Sequence, residues 1–196
     1  KAFLANVGMK ADVEQIGTFN PWFEFGYGSG NVAAANQQHN MNFQAIATDY
    51  RPGAIYGRFD TNSSVPFGAG VNAALAGNGL QNRIIWGFGA KATPSALNKL
   101  TAGLAYYDFN FQNLGAGTGI NAGNRHIGSE VDVTAEWKHS ETVSFKGTVG
   151  NFQPGGYIRN TIDHAGYAAN GAPDAPTGRG HTSAAWLSAL DVSVKF

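Results

Sequence analysis

Cysteine is absent from the 196-residue chain, which excludes a disulfide framework and any thiolate-held metal. Charge is scarce, at 13% of residues against roughly 25% in a typical soluble domain. Neither sign prevails: 13 Lys+Arg stand against 13 Asp+Glu, so composition carries no basic nucleic-acid footprint. No apolar run reaches the roughly 18 residues that a transmembrane helix needs. No charged-then-apolar leader is legible at Lys1–Leu4, so any secretion signal is expected to have been removed already. What the chain has instead is glycine, 27 residues, and aromatics, 12%. That balance implies a surface that does not face water everywhere.

The hydrophobic period is two, not 3.6, and seven segments carry it. In Phe3–Glu14, Phe3, Ala5, Val7, Met9, Ala11 and Val13 alternate with Leu4, Asn6, Gly8, Lys10, Asp12 and Glu14. In Phe19–Ser29, Phe19, Pro21, Phe23, Phe25 and Tyr27 oppose Asn20, Trp22, Glu24, Gly26 and Gly28. In Gln81–Ala92, Ile84, Trp86, Phe88 and Ala90 oppose Arg83, Ile85, Gly87, Gly89 and Lys91. Leu97–Phe111 sets Leu100, Ala102, Leu104 and Tyr106 against Lys99, Thr101, Gly103 and Ala105. His126–Lys138 sets Ile127, Val131, Val133, Ala135 and Trp137 against Glu130, Asp132, Thr134, Glu136 and Lys138. Val143–Phe152 and Thr182–Phe196 repeat the alternation, with Lys146 and Asp191 on their polar faces.

These segments run to about 9–14 residues, beyond the usual 5–6 of a soluble strand and enough for a tilted strand to cross a bilayer. The joins alternate in length. Gln15–Thr18, Thr93–Ala96 and His139–Thr142 are tight turns, whereas residues 30–79, 112–125 and 153–181 are long, Gly- and Asn-rich loops. Short turns on one rim and long loops on the other are the pattern of an outer-membrane barrel. Phe19, Trp86 and Trp137, with Tyr27, Tyr106 and Trp186, are the candidate aromatic girdles at the membrane surfaces. The competing fold is a soluble β-sandwich.

The closing stretch carries Leu190, Val192, Val194 and a terminal Phe196 at alternate positions. It is similar to the last strand by which the bacterial outer-membrane assembly machinery recognises its clients. Placing that end in the periplasm puts every short turn on the periplasmic side and the long loops outside. The count is then seven, whereas single-chain bacterial barrels have an even number. Three repairs are open: a larger barrel of which this is the later portion, a further strand hidden in Gly30–Gly79, for instance at Gly53–Phe59, or strands from another chain.

Four stretches resemble the alginate-export porin family. His126-Ile127-Gly128-Ser129-Glu130-Val131-Asp132-Val133 leads through Trp137-Lys138 and a turn to Gly150-Asn151-Phe152-Gln153-Pro154-Gly155-Gly156. Trp22–Gly30, and Asn42–Gln44 through Tyr50-Arg51-Pro52-Gly53, are similar to that family too. The resemblance implies a large monomeric outer-membrane barrel, with this chain as roughly its later half.

The expected fold is therefore an all-β, antiparallel transmembrane β-barrel of about 7–8 strands within residues 1–196, part of a larger barrel. The candidate lumen residues are Lys10, Asp12, Glu24, Arg83, Lys91, Lys99, Glu130, Asp132, Glu136, Lys146 and Asp191. With Lys138, Lys195 and Glu14 the polar faces hold seven cations and seven anions. A conduit selective for polyanions is expected to be basic, so this wall argues against that cargo. Cross-strand charge pairing is the expected structural use of these residues. The expected function is porin-like passage of hydrophilic solutes across a bacterial outer membrane, with residues 30–79 folding inward as a constriction. A barrel serving as scaffold or sleeve for a partner is the other reading. The expected partners are the lipid bilayer, the assembly machinery and the solute, with no nucleic acid.

Catalytic chemistry has little support. His39, His126, His139, His164 and His181 show no H-x-x-H or H-E-x-x-H spacing, and Asp60, Asp163 and Asp174 sit in no calcium-loop order. There is no phosphate loop and no G-x-S-x-G elbow. Neither an enzyme, a metal nor a cofactor is expected.

Overall fold

A computed structural model describes residues 1–30, 50–59, 80, 82–113, 124–159 and 183–195. The described residues are almost wholly β. The strands are β1 (Ala2–Gly8), β2 (Ala11–Val13), β3 (Gly17–Gly28), β4 (Arg83–Pro94), β5 (Leu100–Phe111), β6 (His126–Lys138), β7 (Val143–Pro154) and β8 (Ala185–Val194). They form one eight-stranded antiparallel sheet in the order β1-β3-β4-β5-β6-β7-β8, with β2 also on β3. Among the described residues no helix is long and apolar enough to cross a membrane.

Each expected segment is a strand, with three corrections. Phe3–Glu14 is not continuous: β1 stops at Gly8 and β2 resumes at Ala11, both against β3. The Met9 N–H still donates to the Pro21 carbonyl, so the break is local. Gly53–Phe59 is not the hidden strand: Tyr56–Phe59 is a helical turn, α1, and the remainder of Gly30–Gly79 lies almost wholly outside the described residues. Ile127 does not share the outward face of β6. The β5–β6 register shifts between Phe109 and Asn110. This bulge turns Ile127 inward, where it is fully buried.

The sheet is open. β1 and β2 pair only with β3, and β8 only with β7, so both edges lack a neighbour among the described residues. Successive strands are adjacent throughout, which places the short joins at one end and the long ones at the other. The tightest join follows β2: Ile16 N–H donates to the Val13 carbonyl. Gly17 there takes φ +125, and a Cβ on it would lie 2.2 Å from the Thr93 carbonyl oxygen. No other residue fits. A 3₁₀ turn, Ser95–Leu97, joins β4 to β5.

Candidate functional site

The register sorts side chains into two faces without a break in parity except at the bulge. On one face lie Val7, Phe23, Phe88, Tyr106, Val131, Asn151 and Trp186 as a single cross-strand row. Most of this face is bare. Phe19, Phe23, Trp86, Phe88, Leu104, Val131, Val133, Trp137, Val149, Trp186, Leu190, Val192 and Val194 are all exposed. Sheets in soluble domains bury such a face against a second layer, and none covers it among the described residues.

The apolar band crosses the strands obliquely. Phe19 and Gly147 share one row, yet on β7 the band continues past Gly147 to Phe145 and Val143. At the other limit it reaches Phe25 and Tyr27 on β3. On β5 to β7 it gives way above Tyr106, Val131 and Val149 to Asp108, Asn110, His126, Ser129, Asn151 and Gln153. The drift is roughly 14–20 Å along the strands over roughly 19 Å of sheet width. That corresponds to strands inclined roughly 35–45° to the band. The polar fringe is internally bonded: His126 Nε2 lies 3.0 Å from Asp108 Oδ2, and Gln153 Nε2 donates to Asn151 Oδ1 at 2.8 Å.

The other face is concave. Side chains from both edges of the sheet, Asn6 and Lys10 at one and Asp191 at the other, line one cavity of about 1010 Å³. Of the candidate lumen residues, Lys10, Glu24, Lys91, Asp132, Lys146 and Asp191 line it. Asp12 and Glu136 share the same face, opposite Thr18 and Lys146 respectively. Lys99 sits at the short-turn rim, where its Nζ donates to the His139 carbonyl. Arg83 and Glu130 are on the expected face but line no open space, since both are fully buried.

The expected bracing by cross-strand ion pairs is largely missing. Lys146 stands opposite both Glu136 and Asp191 in register. Among the described residues, however, the ion pairs are Lys10–Asp12 and His126–Asp108. Lys91 and Lys146 are thus held apart from carboxylates, as suits charges bathed in water.

Toward the long-loop end this face becomes apolar, which the sequence reading missed. Ile85, Phe109, Phe111, Ile127 and Phe152 form a buried core with Ile55 and Tyr157. The last two come from connections, so residues 50–59 and 155–159 fold in over the sheet. Tyr56 stacks on Phe109 with ring centroids 3.8 Å apart, and Tyr157 packs on Phe111. Arg83 is enclosed here: its Nε donates to the Tyr56 hydroxyl at 2.6 Å, and its guanidinium lies over the Phe111 ring. The signal available in the sequence was the run of large apolar residues, Ile85, Phe109, Phe111 and Phe152, on the polar parity at one end only.

Two strand carboxylates seat the inward segment. Glu130 accepts the Ile55 and Tyr56 N–H groups at 2.6 and 2.8 Å, and Asp132 accepts Ala54 N–H at 2.9 Å. Across the sheet, Glu24 accepts the Tyr50 hydroxyl at 2.7 Å and the Asn6 amide at 3.0 Å. Burial, reinforced by that bond to Glu24, pushes the Tyr50 phenol well above its ordinary range and keeps it a donor. Glu24, Glu130 and Asp132 thus each hold part of residues 50–56 against the sheet. Comparison with protein-family models finds no match for the chain, and comparison with curated proteins finds none either.

Proposed function

We propose that the chain is a wall of a transmembrane β-barrel and that its polar face lines a passive conduit for hydrophilic solutes in a bacterial outer membrane. The observation that carries this is the oblique apolar band. An exposed apolar surface of this extent is foreign to soluble monomers. Its inclination to the strands is the tilt that strands of a membrane barrel adopt. Along β3 the band from Phe19 to Tyr27 runs roughly 27 Å, or roughly 20 Å along the membrane normal after tilting. That is close to the roughly 25 Å apolar belt of such barrels.

The resemblance to the alginate-export porins supports the same reading, and Lys91, Lys146 and Asp191, in no ion pair among the described residues, suit a hydrated passage. The wall holds both signs, which favours neutral or weakly charged solutes over polyanions. Further strands close the barrel, because unpaired edge groups cost several kcal/mol each in hydrocarbon. The inward segment narrows the conduit at its long-loop end.

The buried core at that end also gives the scaffold reading its one specific support, since a filled lumen conducts nothing. Planar-bilayer recording of the protein extracted from outer membranes with detergent separates them. Stepwise ion current with weak selectivity is expected; a silent bilayer with demonstrably inserted protein favours the scaffold. Release from cells without detergent would remove both.

A further inference from the structure

The polar face carries an aromatic patch that contact with lipid does not explain. Trp22 of β3 and Tyr107 of β5 are the two aromatic side chains lining the cavity among the described residues. Both reach over β4, the strand between them. A Cβ on Gly89 would lie 2.9 Å from Trp22 Cζ2, and one on Gly87 would lie 2.8 Å from Tyr107 Cε1 and 3.2 Å from Trp22 Cζ3. The rings thus fill the space that side chains at Gly87 and Gly89 would take. Their centroids are 5.7 Å apart and their planes are inclined by 42°. Glycine inside a strand marks a close approach, and here two rings make it. The Gly53 backbone bonds the Tyr107 hydroxyl, and Phe109 lies alongside the Tyr107 ring with centroids 6.0 Å apart, so that ring is held in place. Both residues are half-buried. The sheet covers part of each ring and the rest lines the cavity.

Polar groups surround the patch. Asn20 and Lys91 face each other one row toward the short turns, and Glu24 stands one row toward the long loops. Asp132 lies in the row of Trp22 itself, beyond Gly89 and Ala105. The Asn6 amide and the Tyr50 hydroxyl both donate to Glu24, which orients its carboxylate. Gly103 and Ala105 line the cavity as well and leave depth between these groups. The Asn20 amide both donates and accepts, Lys91 donates, and the carboxylates accept. A pyranose fits such a surface. Its faces offer C–H bonds to aromatic rings, and its rim offers neutral hydroxyls that each donate and accept. A polyanion would meet Glu24, Asp132 and Asp191, and a wholly apolar ligand would leave the polar rim unsatisfied. The cavity of about 1010 Å³ stands at the upper end of ligand-sized pockets, roughly 300–1,000 Å³, with room for a short chain of sugar units.

We propose that Trp22 and Tyr107 form a stacking platform for neutral oligosaccharides on the polar face. This rests on the conduit reading, in which the cavity is part of the hydrated passage, and it names the class of solute. The rings take the C–H face of a sugar unit, while Asn20, Lys91, Glu24 and Asp132 take its hydroxyls.

Titration of the detergent-solubilised protein with maltohexaose tests this. Of the four tryptophans, Trp86, Trp137 and Trp186 are exposed on the apolar face, so a sugar-dependent blue shift of the emission reports Trp22. The shift is expected with maltohexaose and not with sorbitol, which carries hydroxyls but no ring. Calorimetry then compares variants. Trp22→Phe keeps a ring and should weaken maltohexaose binding by no more than about threefold. Trp22→Leu fills the same space without a ring and should weaken it about tenfold. An emission unmoved by maltohexaose, an equal response to sorbitol, equal losses in the two variants, or tighter binding of an oligouronate of the same length overturns the platform. Parallel bilayer recordings separate the two claims. Maltohexaose binding without any current keeps the platform and removes the conduit; current without maltohexaose binding keeps the conduit and removes the platform.

Discussion

Gly53 takes φ +79 at the entry to the inward turn, and a Cβ there would lie 2.7 Å from Glu130 Oε2. Backbone conformation and space both demand glycine at this point. Gly53→Ala should loosen the segment by about 1–3 kcal/mol. Faster hydrogen exchange at the Ala54, Ile55 and Tyr56 amides, with strand amides unchanged, is the expected reading. On the open part of the polar face, Lys91 lines the cavity without a carboxylate partner among the described residues. Lys91→Glu should move the reversal potential in a salt gradient toward cation preference, because wall charges set selectivity. At this scale the sequence was only half legible. It marked Glu24, Glu130 and Asp132 as inward polar residues but gave no sign that they hold Tyr50 and Ala54 to Tyr56. Those contacts join residues 26 to 78 positions apart, beyond the reach of any local spacing. Ile127 was misplaced because a bulge leaves no trace in an alternating pattern.

The strands themselves were legible because alternation is local and every strand obeys it. The polar fringe above Tyr106, Val131 and Val149 adds what alternation could not: how far up each strand the apolar band extends. The band also makes an element-level prediction. Arginine at outward, mid-band positions, Leu104→Arg or Val133→Arg, should cost about 2–4 kcal/mol in lipid-vesicle unfolding. Thr134→Arg, one residue along β6 but on the polar face, should cost much less, since its head reaches water. Equal costs at Val133 and Thr134 would contradict the assignment of faces. The helical turn at Tyr56–Phe59 occupies a stretch that the strand count left open as one place for a further strand. Packing of Tyr56 on Phe109 and two N–H bonds to Glu130 decide for the turn, as tertiary context does over weak local preferences.

For the whole molecule, the open sheet is the feature that matters most. Six successive antiparallel pairings run from the β1 edge to β8, so the two edge strands point the same way. A direct β1–β8 closure would be parallel, and an identical copy rotated about the barrel axis would also meet each edge in parallel. All-antiparallel closure requires an odd number of additional strands, which brings the total to the even count usual for bacterial barrels.

That partition is open to direct measurement. Single nitroxide labels at Leu104, Val133 and Val192 on the apolar face, and at Lys91, Thr134 and Asp191 on the polar face, can be compared in protein reconstituted into lipid vesicles. Collision rates with oxygen, which concentrates in the bilayer, and with a water-soluble nickel chelate should alternate with residue parity. Oxygen should dominate at Leu104, Val133 and Val192, and nickel at Lys91, Thr134 and Asp191. Ready nickel access at all six positions would mean that the apolar band lies in water, and the membrane-barrel reading would fall.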